Sequence, residues 1–154
     1  MADSAPSAFT AALRLLGRRE LSVEQMRARL LDRGCEPADV DAAIERLLAD
    51  RSLDDERVAR EYARTALNLK GRGRLRIQRE LAAMGIARDV AAGALAEVFG
   101  DADERALIRR AIQKKLHGQR LPADRAARGR LYQYLMRQGF SPAAISAVLR
   151  SRDE

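Results

Sequence analysis

Within residues 69–81, LKGRGRLRIQREL, five side chains are basic: Lys70, Arg72, Arg74, Arg76 and Arg79. The first acid is Glu80. Lys and Arg carry fixed positive charge and several N–H donors each, so the chemistry open to this cluster is anion capture. The apolar spacing from Leu75 onward predicts a helix that starts near residue 73. A helix start already attracts anions through its free backbone N–H groups and the positive end of its dipole. Exposed cations there cost about 0.3–1 kcal/mol each. A solvated loop explains why such residues are tolerated but not why they are concentrated. An external anion docking at the helix start would turn the repulsion into binding.

Helical geometry sorts the side chains further. Arg72, Arg76 and Arg79 fall at i, i+4 and i+7 on one stripe. Ile77, Leu81 and Met84 form a second stripe, rotated by roughly 100°, that would face the core. The expectation is an anion-binding edge made of Lys70, Arg72, Arg74, Arg76 and Arg79, joined by Arg64 from the preceding helix.

Catalytic constellations are missing. A Cys–His pair would need Cys35 and His117 to meet, and Cys35 reads as a small buried hydrophobe. His117 stands near a helix C-terminus, where an imidazolium would complement the dipole. Asp54, Asp55 and Glu56 look like a metal site but are better explained as acids capping a first helical turn. KGRGR lacks the Gly-Lys-Ser/Thr ending and preceding strand of a phosphate-binding loop. No His, Cys or carboxylate cluster has metal-ligand spacing. Neither an enzyme nor a cofactor is expected. A sequence-specific helix-turn-helix protein is a second class. LLDRGCEPADV has the shape of such a turn, but the next helix carries Asp39, Asp41 and Glu45, which phosphates would repel. The helix over 87–99 offers Arg88 alone and the last helix only Arg150.

The chain has 154 residues, a net charge of +7 and a pI near 10.4. The charge is segregated. Residues 1–62 hold 10 basic and 13 acidic side chains, 63–100 hold 7 and 3, and 101–150 hold 11 and 4. An acidic first third followed by a basic remainder suggests an anionic partner on one side, most simply nucleic acid. One cysteine excludes an internal disulfide and fits a reducing compartment. No run approaches the roughly 20 apolar residues of a membrane span. A cytoplasmic monomer is expected.

The elements that must position these side chains are helices. Ala, Leu, Arg, Glu and Gln dominate, all strong helix formers, and Gly and Pro are sparse. Start and stop residues predict helices over 8–18, 22–33, 37–50, 54–69, 73–84, 87–99, 102–117, 122–138 and 141–150. LLDRGCEPADV, LAAMGIARDV and LMRQGFSPAAI share a pattern: Leu, three residues, Gly, an apolar or small residue, then a helix opening onto Val or Ile. The glycines, Gly34, Gly85 and Gly139, lie 51 and 54 residues apart. The fold class is therefore all-α, with three tandem three-helix repeats over 8–53, 54–100 and 101–154 after a loose N-terminus at 1–7. Modules this small are expected to share core with their neighbours and form an elongated molecule.

These residues resemble the RecX family, regulators of the RecA recombinase. The resemblance spans about residues 9–150. It includes RRELSVEQMRARLLDRG and SLDDERVAREYAR in the first repeat and its junction, KGRGRLRIQRELAAMGI in the second, and LYQYLMRQGFSPAAI in the third. Gly73, Arg76–Ile77, Glu80–Leu81 and Gly85–Ile86 are its most specific part. Val58 stands where the family usually has Phe, Arg74 where Pro is frequent, and Met84 where a basic residue is common. The resemblance implies tandem three-helix repeats in a curved, elongated molecule, binding within the groove of the RecA filament on single-stranded DNA, and restraint of recombinase, ATPase and coprotease activity. Single-stranded DNA, with double-stranded DNA as a further candidate, would be bound weakly and without sequence preference. Lys114, Lys115 and Arg128 of the basic third repeat join the edge as candidate partner- or DNA-binding residues. The alternative is a helical protein acting on nucleic acid directly, without RecA.

Overall fold

The computed structural model describes residues 6–151, which form nine α-helices and no strand. They are α1 (Ala8–Leu16), α2 (Val23–Asp32), α3 (Pro37–Ala49), α4 (Asp55–Asn68), α5 (Arg74–Ala83), α6 (Arg88–Phe99), α7 (Glu104–Lys115), α8 (Arg125–Gln138) and α9 (Pro142–Ser151). Ser7, Ser22, Asp54, Asp103 and Asp124 each turn a side-chain oxygen onto a free N–H of the turn that follows. Such caps contribute about 1 kcal/mol apiece. Ser22 and Gln25 form a reciprocal capping box. Ser7 caps α1, so the loose N-terminus expected over 1–7 does not extend to it; residues 1–5, like 152–154, lie outside the described residues. The eighth helix starts at Arg125 rather than at Pro122. The Asp124 carboxylate accepts from Ala126 and Ala127 N–H and sets the boundary, while the Pro122 carbonyl accepts from Arg128 Nε at 2.9 Å.

The repeat pattern has one structural meaning, a common helix ending. Cys35 N–H reaches Leu30 C=O, Ile86 N–H reaches Leu81 C=O, and Phe140 N–H reaches Leu135 C=O, at 3.2, 3.2 and 3.3 Å. Each bond spans a left-handed glycine with φ of +84°, +77° and +102° at Gly34, Gly85 and Gly139. This is the Schellman closure, which satisfies last-turn carbonyls and turns the chain toward the next helix. Leu30, Leu81 and Leu135 are fully buried; Ile86 and Phe140 are buried as well, and Cys35 is only half-buried against the first core.

The expectation of a shared core is corrected. Three separate cores form, one around Met26, Leu30 and Leu47, one around Ile77, Leu81 and Leu95, and one around Ile112, Leu135 and Ile145. Each repeat packs its helices onto one another, and Leu107 is the side chain that touches both the second and third cores. The accessible surface is 10058 Å². A compact monomer of this mass exposes roughly 7,800 Å².

The repeats are joined end to end through their middle helices. Gly73 N–H donates to Gln138 C=O at 2.7 Å and Leu75 N–H to Gly139 C=O at 3.1 Å, so the start of α5 abuts the end of α8. Ser22 Oγ donates to Met84 C=O at 2.5 Å, so the start of α2 abuts the end of α5. Val23 N–H adds a bond to Asp55 Oδ1 of α4 at 2.9 Å. The positive dipole end of α5 thus meets the negative end of α8, and that of α2 the negative end of α5, in the reverse of chain order.

Candidate nucleic-acid and partner interface

The start of α5 is not the open anion trap that its sequence suggests. Gly73 and Leu75 give their N–H groups to carbonyls of α8, and those same carbonyls are a place where cations are welcome. Arg76 Nη1 contacts Gln138 Oε1 there at 3.4 Å. The positive charge that seemed misplaced in one helix lies beside the negative end of another.

Nor are the three stripe arginines equivalent. Arg72 Nη1 donates to Glu80 Oε2 at 2.6 Å, and the Tyr62 hydroxyl donates to the same oxygen at 2.6 Å. Arg72 Nη1 also reaches Tyr62 Oη at 3.3 Å. Arg76 Nε approaches the other oxygen, Oε1, at 3.5 Å, close enough for ionic attraction but outside hydrogen-bonding geometry. The Arg72 and Glu80 side chains are only 18% and 24% exposed. Burial, then the hydrogen bond and charge of Glu80, push the Tyr62 phenol above its usual range, with Arg72 opposing them. Arg72, Arg76, Glu80 and Tyr62 thus make a structural network that fastens the 69–73 turn to α5. Arg79, on the outer side, is exposed. The other stripe behaves as expected: Ile77 and Leu81 are fully buried and Met84 packs half-buried against the second core.

The remaining cations divide by partner. Arg64 pairs with Glu61 at 2.9 Å and Glu97 at 3.6 Å. Arg74 is exposed, its guanidinium 5.6 Å from the centre of the Phe99 ring. Lys70 and Arg79 are exposed and pair with no carboxylate among the described residues. Beside them stands Leu69, 71% exposed. Lys114 faces the second repeat: it lines a small cleft of about 70 Å³ with Asn68, Gly71, Arg110 and Phe140. The structure therefore brings the 70–71 turn, Arg110 and Lys114 to one edge across the boundary between repeats two and three. Lys115 turns elsewhere, its ammonium 4.5 Å from the Tyr134 ring centre. Arg128 is half-buried and holds the Pro122 carbonyl, a bond within the repeat.

Sequence reasoning passed over Arg110, Arg120, Arg130 and Arg137. Arg130 and Arg137 were findable: they lie seven residues apart, two turns of α8, with Gln133 and Tyr134 between them on the same face. The helix after the first glycine turn presents acids rather than base readers, since Asp39, Asp41 and Glu45 are all exposed on α3, and α6 offers Arg88 alone. Among the described residues no group of three His, Cys, Asp or Glu side chains could hold a metal ion, and no helix is long and apolar enough to cross a membrane.

An all-helical array of tandem three-helix modules, cationic toward its C-terminal half, is the class of protein that these features define. Family models describing the first, second and third three-helix domains of RecX match residues 8–47, 54–95 and 102–149. The chain is 32% identical over 148 residues to regulatory protein RecX of Pelodictyon phaeoclathratiforme, covering 96% of this chain and 90% of that one. It is 36% identical over 145 residues to regulatory protein RecX of Halorhodospira halophila, covering 94% and 87%. The crystal structure of RecX from Lactobacillus salivarius superposes with a TM-score of 0.73 over 95% of this chain and 94% of that one, at 21% identity, a likeness of fold. The chain belongs to the RecX family of regulatory proteins.

Proposed function

We propose that the protein binds the RecA filament on single-stranded DNA, within its helical groove, and modulates it in the cytoplasm, chiefly by inhibiting recombinase, ATPase and coprotease activity without catalysis of its own. The observation that carries this reading is the edge at the second and third repeats. Lys70, Arg110 and Lys114 stand there with no carboxylate partner among the described residues, next to the exposed Leu69, and Arg79 is likewise exposed and unpaired among the described residues on α5. Unpaired cations beside exposed apolar surface suit a composite target of protein and phosphate. An elongated row of modules can follow a groove that contains both. Free DNA would be held weakly, with an affinity that falls steeply as salt rises, because phosphate contacts release counterions. The test is to add the purified protein to a preformed RecA filament and follow ATP hydrolysis and strand exchange. Both should fall at less than one protein per RecA subunit, and no effect at any ratio ends the proposal.

A further inference from the structure

A groove lies in the third repeat, between α8 and the segment that joins it to α7. It encloses about 940 Å³ and is lined by Lys115, Arg120, Arg130 and Arg137, beside Tyr134. Among the described residues no acidic side chain lines it. All four cations are exposed and none pairs with a carboxylate among the described residues. Lys115 instead lies over the Tyr134 ring. Four like charges around one concavity repel one another, and no described carboxylate forms an ion pair with any of them. The groove is therefore shaped and charged for an anion larger than a single ion.

We propose that this groove binds the sugar–phosphate backbone of a short stretch of single-stranded nucleic acid, with a base stacked on Tyr134. The inference deepens the filament reading above and rests on it for the kind of strand. Arg130 and Arg137 stand about 10.5 Å apart along α8, a spacing that meets separate phosphates of one extended strand. Tyr134 supplies an aromatic platform that any base can use, and the guanidinium planes can stack as well. A duplex is a poor fit, since it is read by a helix or arm that projects into its grooves, and here the protein is concave. An acidic peptide would satisfy the charges but would leave the tyrosine face without a role. Lys115 moves from the ring to a phosphate as the base arrives.

The test is binding of a short fluorescent oligothymidylate by anisotropy, without any recombinase, across a series of salt concentrations. Arg130→Gln with Arg137→Gln removes two phosphate contacts, and the slope of log affinity against log salt should become shallower by about 1.4. Tyr134→Leu should weaken binding by about fivefold or more and leave that slope unchanged. Circular dichroism controls for folding, which these exposed arginines do not support. Arg14→Gln, exposed on α1 of the first repeat, should leave both affinity and slope close to the parent's. Unchanged affinity and slope in the double variant overturn the proposal. So does a result in which the double variant loses polyglutamate but keeps oligothymidylate, which would make the groove a seat for an acidic protein segment. Because no recombinase is present, failure here leaves filament inhibition standing, and failure of filament inhibition leaves this groove standing.

Discussion

Gly73 and Gly139 meet backbone to backbone across the boundary between the second and third repeats. A Cβ on Gly73 would lie 2.6 Å from the Gly139 carbonyl carbon, and one on Gly139 would lie 2.5 Å from Arg76 Cβ. Gly139 also has φ of +102°, and its equivalent Gly34, with φ of +84°, has open space where a Cβ would go. Gly34→Ala should then cost only the backbone strain, about 1–2 kcal/mol. Gly139→Ala adds the clash at the joint and should cost more, as should Gly73→Ala, which has no φ penalty. Urea denaturation of the three variants checks the order, and equal losses at Gly34 and Gly139 would show that the joint contributes nothing.

Arg72→Gln should destabilise the protein, because it removes the hydrogen-bonded charge beside the Glu80 carboxylate. Hydrogen bonds to charged groups contribute about 1.5–3 kcal/mol, and this one is mostly shielded from water. This reverses the simple helix-dipole expectation, in which losing a cation from a helix start relieves repulsion. Arg79→Gln, exposed, should leave the melting temperature within about a degree or two. Thermal melts of the two single variants separate the structural arginine from the surface one.

Lys70→Gln with Arg79→Gln should weaken filament inhibition several-fold without loss of helix content, since Gln is a good helix former. The loss should deepen with salt, as the remaining charges are screened. Inhibition of strand exchange, titrated at low and high salt, is the measurement. Full potency at every salt concentration would reduce these cations to a solvated face.

Tyr62 should ionise later than a free phenol, because burial and the hydrogen bond and charge of Glu80 hold its proton. A phenol with a raised folded-state value adds stability that is complete below its unfolded value near 10 and is lost as pH climbs through the folded one. Ultraviolet titration of phenolate should show a late phase that Tyr62→Phe abolishes. The same substitution should flatten part of the decline in stability on the alkaline side.

The repeats were legible because their signal is local. Leu30, Leu81 and Leu135 each sit four residues before a glycine, and four residues is the reach of one helical ending. The helix caps at Ser22, Asp54 and Asp103 were legible for the same reason. The joints were not. The carbonyls that receive Gly73 and Leu75 come from residues 138 and 139, and nothing near residue 73 announces them. The stripe of Arg72, Arg76 and Arg79 was read as one surface because helical spacing places it on one side. Arg72 in fact precedes α5, so it folds back over Glu80 and leaves Arg79 outside. Separate cores were also hidden: periodicity tells which face of a helix is buried, not whether a neighbouring repeat helps to bury it.

Separate cores confine bending to the junctions. Tilting one module against the next strains a few backbone bonds, at about 1 kcal/mol per bond, a glycine contact and the Leu107 side chain that bridges the second and third cores, and leaves each core otherwise intact. A molecule with one continuous core would have to repack it. This chain is built as three stiff links on two short couplings, and its contour can conform to a track of different pitch while every link stays folded.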